Sequence, residues 1–536
     1  MTQSATLVGN AWRFGLGLRP FLRRPPTLGQ SREQVRKEWM NRDDRFLRTF
    51  RELIWNRPSS PYVRLLRHAG VEAGDVARLV RQLGLEGCMN TLRDEGVYVA
   101  YEEWLGSEPA RRGSATFFFN PLDFLNDVVR GDFLVSTGGT RSFGIPVNWS
   151  FAYMRRSLAR HLLSASSWGV AGTPAAMWLP TLPSGMGLTT ALVSAACGEP
   201  PERWFTQVPL RLSGIGWRTR VAKSLLPAMA LLGARIPHPE YVPPSDPQRV
   251  LEWVRDALVR SGKARLCAYT TCAVLLAEAA KTFGISLDGL LIGTVGEPLG
   301  ERRADIIRGA GAVVCNGYGF MEKGTVGLAC PSCGAEEFHL LESEVCVVQR
   351  LRPRKDEVVV PAFLWTSVDR DSPSVLFNTE NDDYGELERP GPACSCELGL
   401  IGMRTRVSGV RGISKINVAG TSLPGEALSR IAEEILPSRF GGTPGSYQFV
   451  KEDSDDVPRM ELRIAPSVGS ISDDVVRRVI AEELSKSNRG ILANALWSTA
   501  EALPISRADP LLTQSGKWYP VSLSPQTRPG GDDVRS

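Results

Sequence analysis

ARLCAYTTCAVLLAEAAKTFGISLDGLLIGTVGEPLGERRADIIRGAGAVVCNGYG, residues 264–319, decides the fold class of this chain. It reads as a strand or turn, a helix, a strand over LDGLLIG, a helix over ERRADIIRGAG, and a strand over AVVCNGY. Short apolar runs alternating with helical stretches are the rhythm of α/β units on a parallel sheet. The segments that follow the two later strands, Gly296-Glu297-Pro298-Leu299 and Asn316-Gly317-Tyr318-Gly319, then fall at carboxyl ends of strands, where open α/β sheets bind ligands.

Outward from this stretch the α/β rhythm extends back to about Gly131. Between Ser31 and about Gly106 the pattern is mostly helical: SREQVRKEWMNRDDRFLRTFRELIW opens with Ser31 as a helix start, and SPYVRLLRHAG gives a second short helix. Between Glu336 and Glu388, runs such as EVCVVQRL and EVVVPAFLWTSV, split by charge and proline, read as an antiparallel subregion. Past Gly409 comes a strand (KINVAG), a helix (EALSRIAEEIL), a strand (PRMELRIAP) and a helix (SDDVVRRVIAEELSKS), the pattern of a small separate α+β domain. The expected division is 1–56 as an N-terminal arm and helix, 57–410 as a large domain, 411–524 as a small lid domain joined by a hinge, and 525–536 as a disordered tail.

The 536 residues suffice for several cores, and 43% hydrophobic with 23% charged residues is ordinary for a globular protein. A net charge of +5, with both signs interspersed, gives no basic face for nucleic acid. No apolar run reaches the roughly 18 residues of a membrane span; the most apolar stretch, SLLPAMALLGARIPHP from Ser224, is broken by proline and arginine and reads as a buried helix and its exit. The N-terminus lacks the order of a secretory signal, so a cytoplasmic protein with reduced thiols is expected.

Three segments carry chemistry. GDFLVSTGGTRSFGIPV ends a β-like run in Ser136, Thr137, Gly138, Gly139 and Thr140, whose small side chains and open backbone suit phosphate oxygens. It is not a Walker loop, and by itself it reads better as a plain surface turn. Tyr318 offers a ring for stacking on a base, and Glu322 a carboxylate for a magnesium ion on phosphate. Lys517, after Ser515-Gly516, alone reads as an exposed turn lysine.

Taken in order, these segments resemble the adenylate-forming superfamily, in particular the phenylacetate–CoA ligases. The resemblance runs through STGGTRSFGIPV; Thr294-Val295-Gly296-Glu297-Pro298-Leu299; Tyr318, Gly319 and Glu322; His339, Leu340 and Glu342; Asp383-Tyr384-Gly385-Glu386-Leu387; Cys394 and Cys396; Arg411, Gly420 and Pro424; and Lys517. It covers roughly residues 57–520. It implies a large adenylating domain and a hinged small domain, in an enzyme that uses ATP and magnesium to make an acyl-adenylate and then passes the acyl group to coenzyme A, a carrier phosphopantetheine or a protein cysteine. It further implies that Ser136, Thr137, Gly138, Gly139 and Thr140 hold the triphosphate. Gly296, Glu297, Pro298, Asn316, Gly317, Tyr318 and Gly319 line the adenine pocket, and Glu322 holds magnesium. Asp383 and Arg411 reach the ribose, and Lys517 stabilises charge between the carboxylate and the α-phosphate. A homodimer is also implied. The chain departs from the family pattern at Gly139-Thr140-Arg141, at Asn381-Asp382-Asp383, where Asp382 is a rival to Asp383, and after Arg411, where Ile413 and Ser414 replace aspartates. The hinge and phosphate-loop departures leave a homologue that binds a nucleotide or acyl ligand without turnover as the alternative reading.

Ten cysteines in this length make no disulfide scaffold. Cys330-Pro331-Ser332-Cys333 has the spacing of a zinc knuckle, and Cys394 and Cys396 offer two more thiolates, with His339 as a rival ligand; free thiols are the alternative. Cys88, Cys197, Cys267 and Cys272 sit among apolar residues and read as core.

Overall fold

The computed structural model describes residues 14–129, 131–136, 146–181, 185–207, 227, 229–244, 246–353, 359–413, 415–418, 421–442, 444–452, 459–485, 503–511 and 520–523. They form two compact units. The larger holds nearly all described residues up to Ile413, and the smaller begins at Lys415.

Strands of the larger unit are numbered along the chain: β1 (Ala110–Arg112), β2 (Ala115–Phe117), β3 (Phe133–Ser136), β4 (Pro146–Trp149), β5 (Ala175–Trp178), β6 (Arg203–Thr206), β7 (Pro239–Tyr241), β8 (Ala264–Tyr269), β9 (Leu290–Val295), β10 (Val313–Phe320), β11 (Gly324–Leu328), β12 (Glu337–Leu340), β13 (Val345–Pro353), β14 (Val359–Ser367), β15 (Thr379–Glu388) and β16 (Arg406–Gly412). Twelve of them make one sheet in the order β13-β14-β15-β16-β12-β11-β10-β9-β8-β5-β6-β7. β1 and β2, and likewise β3 and β4, are antiparallel hairpins.

The strands of residues 264–319 are parallel: β8 with β9 from Ala264↔Leu290 to Tyr269↔Val295, and β9 with β10 from Leu291↔Val313 to Thr294↔Asn316. Helices Thr270–Thr282 and Glu301–Arg308 connect them. Their apolar runs are continuous because the sheet is covered on both faces here. β10 is the turning point: after Asn316 it pairs antiparallel with β11, through a bulge between Tyr318 and Gly319. Its start thus belongs to the parallel half and its end to the antiparallel half.

The antiparallel half, β11 to β16, carries a core of Phe338, Leu340, Val347, Phe363 and Trp365. The N-terminal helices pack a second core, with Phe46, Phe50, Tyr62 and Leu66 against Phe377. Here the structure corrects the expected helix start. Thr27, not Ser31, caps the helix Leu28–Met40: its hydroxyl accepts from Gln30 N at 3.2 Å, and Gln30 Oε1 accepts from Thr27 N at 3.0 Å. That reciprocal pair satisfies two otherwise orphaned N–H groups, which Ser31 inside the helix cannot do. The helical stretch is also interrupted at Asn41, before Arg42–Phe50.

In the smaller unit, a hairpin of β17 (Lys415–Val418) and β18 (Thr421–Pro424) precedes β19 (Tyr447–Glu452), β20 (Arg459–Ile464), β21 (Ile505–Arg507) and β22 (Val521–Leu523). The last four make a mixed sheet in the order β21-β20-β19-β22. Helix Asp473–Leu484 contributes Val476 and Ile480 to the same core as Phe449 and Leu462, giving an α+β unit. Of the stretch read as a buried helix around 224–232, the residues before Pro227 lie outside the described ones; Met229 is buried and Leu231 exposed. No described helix is long and apolar enough to cross a membrane.

Candidate functional site

Two of the segments named from the sequence, residues 296–299 and 316–319, lie at the carboxyl ends of the parallel stretches of β9 and β10. Gly296, just past β9, has φ +81°, and a Cβ there would lie 2.8 Å from the Tyr269 ring, so only glycine fits. Glu297 follows and is buried. Its carboxylate accepts from Thr271 N at 2.7 Å and from Thr271 Oγ1 at 3.1 Å, holding the first turn of helix Thr270–Thr282. An anion there also meets the positive end of the helix dipole. The Pro298 carbonyl accepts from Arg303 at 2.8 Å. Glu297 and Pro298 therefore fix the loop's shape as well as lining it.

On β10, Asn316 is buried, and its Oδ1 accepts from Gly317 N at 2.9 Å and from Thr294 Oγ1 at 3.4 Å. Tyr318 packs against Phe338 with ring centroids 5.8 Å apart and against Trp365 at the same separation. Its hydroxyl donates to Asp383 Oδ2 at 2.8 Å, and Asn381 Nδ2 donates to both groups, at 2.8 and 2.9 Å. Burial, then the Asp383 charge, pushes the Tyr318 hydroxyl well above the usual phenol range, so it remains a donor. Gly319 allows the tight β10–β11 hairpin: a Cβ would lie 2.7 Å from the Gly324 carbonyl. Glu322 is half-buried on the turn of that hairpin.

Asp383 thus stands beside Tyr318, whereas its rival Asp382 is fully buried with φ +69°, and its carbonyl accepts from Ile413 N at 2.9 Å. Arg411 lies on β16 opposite Tyr384 and pairs with Glu336 at 2.6 Å. Glu342, of the His339-Leu340-x-Glu segment, holds the Thr405 amide at 3.1 Å and its hydroxyl at 2.7 Å. Ser136 ends β3 opposite Pro146. Thr137, Gly138, Gly139, Thr140 and Lys517 lie outside the described residues. Neither Thr271 nor Asn381 was assigned a role from the sequence: Thr271 meets Glu297, 26 positions away, and Asn381 joins its near neighbour Asp383 to Tyr318 on a distant strand.

A second cluster lies where the β11–β12 connection meets the segment before helix Glu397–Ile401. Cys330, His339, Cys394 and Cys396 place one ligand atom each within 4.8 Å of one another. Cys330 Sγ is 3.5 Å from Cys394 Sγ, and Cys396 Sγ is 3.2 Å from His339 Nε2. His339 Nδ1 is 3.1 Å from the Met403 carbonyl, which fixes the proton on Nδ1 and leaves the Nε2 lone pair facing the thiols. Backbone N–H groups also serve the sulfurs, Cys396 N to Cys394 and Gly399 N to Cys396. Contact with the Cys333 and Cys396 thiols pulls the Cys330 thiol well below its ordinary range. Cys333 stands outside this group: its sulfur is 3.6 Å from that of Cys330 and accepts from Arg406. Three soft thiolates and an oriented imidazole fit a tetrahedral zinc ion. Cys88, Cys197 and Cys272 are buried and Cys267 half-buried, and burial pushes each of the four thiols up to about 12.

No family model and no curated protein matches the chain. Among solved structures, it is similar to 2-hydroxyisobutyryl-CoA ligase in complex with its acyl-AMP and CoA, with a TM-score of 0.52 and 13% identity over 93% of this chain and 89% of that one. It is also similar to an AMP-forming acyl-CoA synthetase-like protein from Dyadobacter fermentans (13% identity, 72% of this chain, 87% of that one, TM-score 0.29). Fatty acyl-adenylate ligases from E. coli and L. pneumophila match at 13% identity over 73% and 69% of the two chains, with a TM-score of 0.29. The first likeness shows that the chain shares the fold of that 2-hydroxyisobutyryl-CoA ligase; the other two add nothing to it.

Proposed function

We propose that this protein activates a carboxylic acid with ATP, releasing pyrophosphate, and passes the acyl group from the acyl-adenylate to a thiol. The observation that carries this reading is the convergence of Asn316, Tyr318 and the Tyr318–Asp383 pair at the point where a parallel sheet turns antiparallel, with Glu322 on the adjoining turn. Asn316, Gly317 and Glu297 offer a pocket for a base, and Asp383 presents a carboxylate to ribose hydroxyls. Glu322 would hold a magnesium ion, which neutralises charge on the triphosphate.

The acid needs no general base, because a carboxylate is already ionised near neutral pH. A carboxylate oxygen attacks the α-phosphorus, the bond to the β-phosphate oxygen breaks, and pyrophosphate leaves. The chain's task is to align the two reactants and to stabilise charge. Lys517 is the proposed source of positive charge at the reacting oxygens. In the second step a thiolate attacks the acyl carbon and AMP leaves; the thiol belongs to coenzyme A, a carrier phosphopantetheine or a protein cysteine. Arg411 would exchange Glu336 for the ribose.

Zinc at Cys330, His339, Cys394 and Cys396 is proposed as a closed structural staple, with Cys333 the alternative fourth ligand. It would tie helix Glu397–Ile401 to β12, beside the Glu397–Arg32 pair that reaches helix Leu28–Met40. A homodimer is proposed from the family resemblance.

ATP–pyrophosphate exchange over a panel of aryl and fatty acids tests the first step. Exchange with at least one acid is expected. ATP binding without exchange for any acid would instead favour a nucleotide-binding homologue without turnover, the reading motivated by Ile413 and Ser414 at the hinge and by Gly139-Thr140-Arg141 in the phosphate loop.

A further inference from the structure

We propose that Trp149, Tyr153 and Lys323 are positioning residues that fix the turn carrying Glu322 and so set the strength of its cation site. This inference rests on the adenylating function proposed above.

The turn joins β10 to β11 and is closed by Lys323 N donating to the Phe320 carbonyl at 3.0 Å. Both carbonyls flanking Glu322 are held from outside the hairpin. The Trp149 indole donates to the Met321 carbonyl at 3.2 Å, and the Tyr153 hydroxyl donates to the Lys323 carbonyl. The two rings meet edge to face at 5.9 Å, and the Trp149 ring would lie 3.1 Å from a Cβ at Gly324, where φ is +80°. Residue 322 therefore sits between two pinned peptide groups, against a wall that leaves no room for a side chain at 324.

Lys323 anchors the turn from below. It is fully buried, with Nζ 3.5 Å from Asp369, 3.9 Å from Glu344 and 5.4 Å from the Tyr153 ring centre. The acids are shared with Arg45, Arg156 and Arg160, and Glu38 and Asp371 complete the cluster. Among the described residues, Lys323 Nζ finds no hydrogen-bond partner. An ammonium held this way is costly, and an apolar side chain of similar volume often stabilises a core as well or better. What the ammonium adds is an anchor: Lys323 runs inward to Asp369 and so fixes the backbone of the turn that carries its neighbour Glu322.

Trp149 has a second place in the site. It ends β4, whose partner β3 ends at Ser136, the first residue of the proposed phosphate loop. One side chain thus joins the hairpin bearing that loop to the turn bearing the cation ligand.

The test is a titration of Mn2+ binding, read by electron paramagnetic resonance of the free ion, to full-length protein with a non-hydrolysable ATP analogue. Affinity for the analogue without cation and the melting temperature are measured alongside. Tyr153→Phe deletes one donor and keeps the ring, Trp149→Phe deletes one donor and leaves a smaller aromatic ring, and Lys323→Met keeps most of the length and deletes the charge. The expected result is Mn2+ affinity weakened roughly ten-fold, the range typical of groups that orient a metal ligand, with cation-free analogue affinity within about two-fold of wild type. Glu322→Gln should abolish the same Mn2+ binding. Unchanged Mn2+ affinity in folded Tyr153→Phe and Trp149→Phe would overturn the positioning role while leaving the proposed function standing, and so would an equal loss of cation and nucleotide affinity. Should Lys323→Met fail to fold, the two aromatic variants still decide. Wild-type protein that binds neither analogue nor Mn2+ would overturn both readings.

Discussion

The Tyr318 hydroxyl and the Asp383 carboxylate share a hydrogen bond of 2.8 Å, although their strands, β10 and β15, are separated in the sheet by β11, β12 and β16. The bond orients a carboxylate proposed to bind ribose, with Asn381 as its second donor. Tyr318→Phe keeps the ring and removes one charge-assisted hydrogen bond, so nucleotide affinity should fall by roughly three- to ten-fold. Asp383→Ala should cost more, about a hundred-fold. Calorimetric titration with ATP checks both, and an Asp383→Ala variant that binds ATP like wild type would remove this residue from the site.

Glu297 sits at the start of a helix, with both oxygens engaged by Thr271. Glu297→Ala leaves a buried amide and hydroxyl without an acceptor, at a cost of about 1–3 kcal/mol. The denaturation midpoint of the larger unit should fall accordingly. Thr271→Val, which deletes only the hydroxyl, should cost less. Equal stability of Glu297→Ala and wild type would show the cap to be unimportant.

Metal analysis of the protein should find about one zinc per chain, since three thiolates and one imidazole complete a tetrahedral set. Cys394→Ser and His339→Ala should lose the metal and lower the melting temperature, and Cys333→Ser should retain it. The reverse pattern, loss with Cys333→Ser and retention with His339→Ala, would assign four thiolates instead. Strong chelators should reproduce the loss of stability in the wild type.

Lys517→Ala should keep ATP affinity within a few-fold and slow adenylation by roughly a hundred-fold or more, because preorganised charge acts on the transition state rather than on the bound substrate. Single-turnover measurement of acyl-adenylate formation checks this. An unaltered rate would refute the assigned role.

Glu199 gives a pH dependence of known sign. Burial alone would raise its pKa, but His161 at 3.8 Å, the Arg265 guanidinium at 2.8 Å and the Gly172 amide at 2.6 Å outweigh it and hold the carboxyl at about 2, below the ordinary 4.5. The unfolded chain therefore takes up this proton first as pH falls. The pair's stabilisation is complete above pH 4.5 and is lost between 4.5 and about 2. Glu199→Gln should be less stable at neutral pH and lose less on acidification. Parallel acid-unfolding curves for the two proteins would contradict the pairing.

The strands and helices of residues 264–319 were legible because each is short, strongly patterned and set by neighbours in the chain. Local reading was less sure at the N-terminal helix, where Thr27 with Gln30 takes the cap expected at Ser31. A cap is decided by which side chain reaches the free amides, and that depends on a few dihedral angles rather than on residue type alone. The cysteine pairs were visible by their spacing, but the place of His339 among them required β12 to lie against the loop of Cys394 and Cys396.

By itself, the sequence determined the α/β rhythm, the order of the segments proposed to bind ligand, and the residue types at the ends of β9 and β10. These depend on periodicity and backbone sterics, which act over a few residues. The tertiary structure alone decided that Asp383 rather than Asp382 meets Tyr318, that Glu297 spends its carboxylate on Thr271, and that Trp149 and Tyr153 grip the turn of Glu322. Those are contacts between residues 26 to 172 positions apart. Hydrogen bonds of that kind exist only after packing has excluded water from both partners, so no local pattern records them.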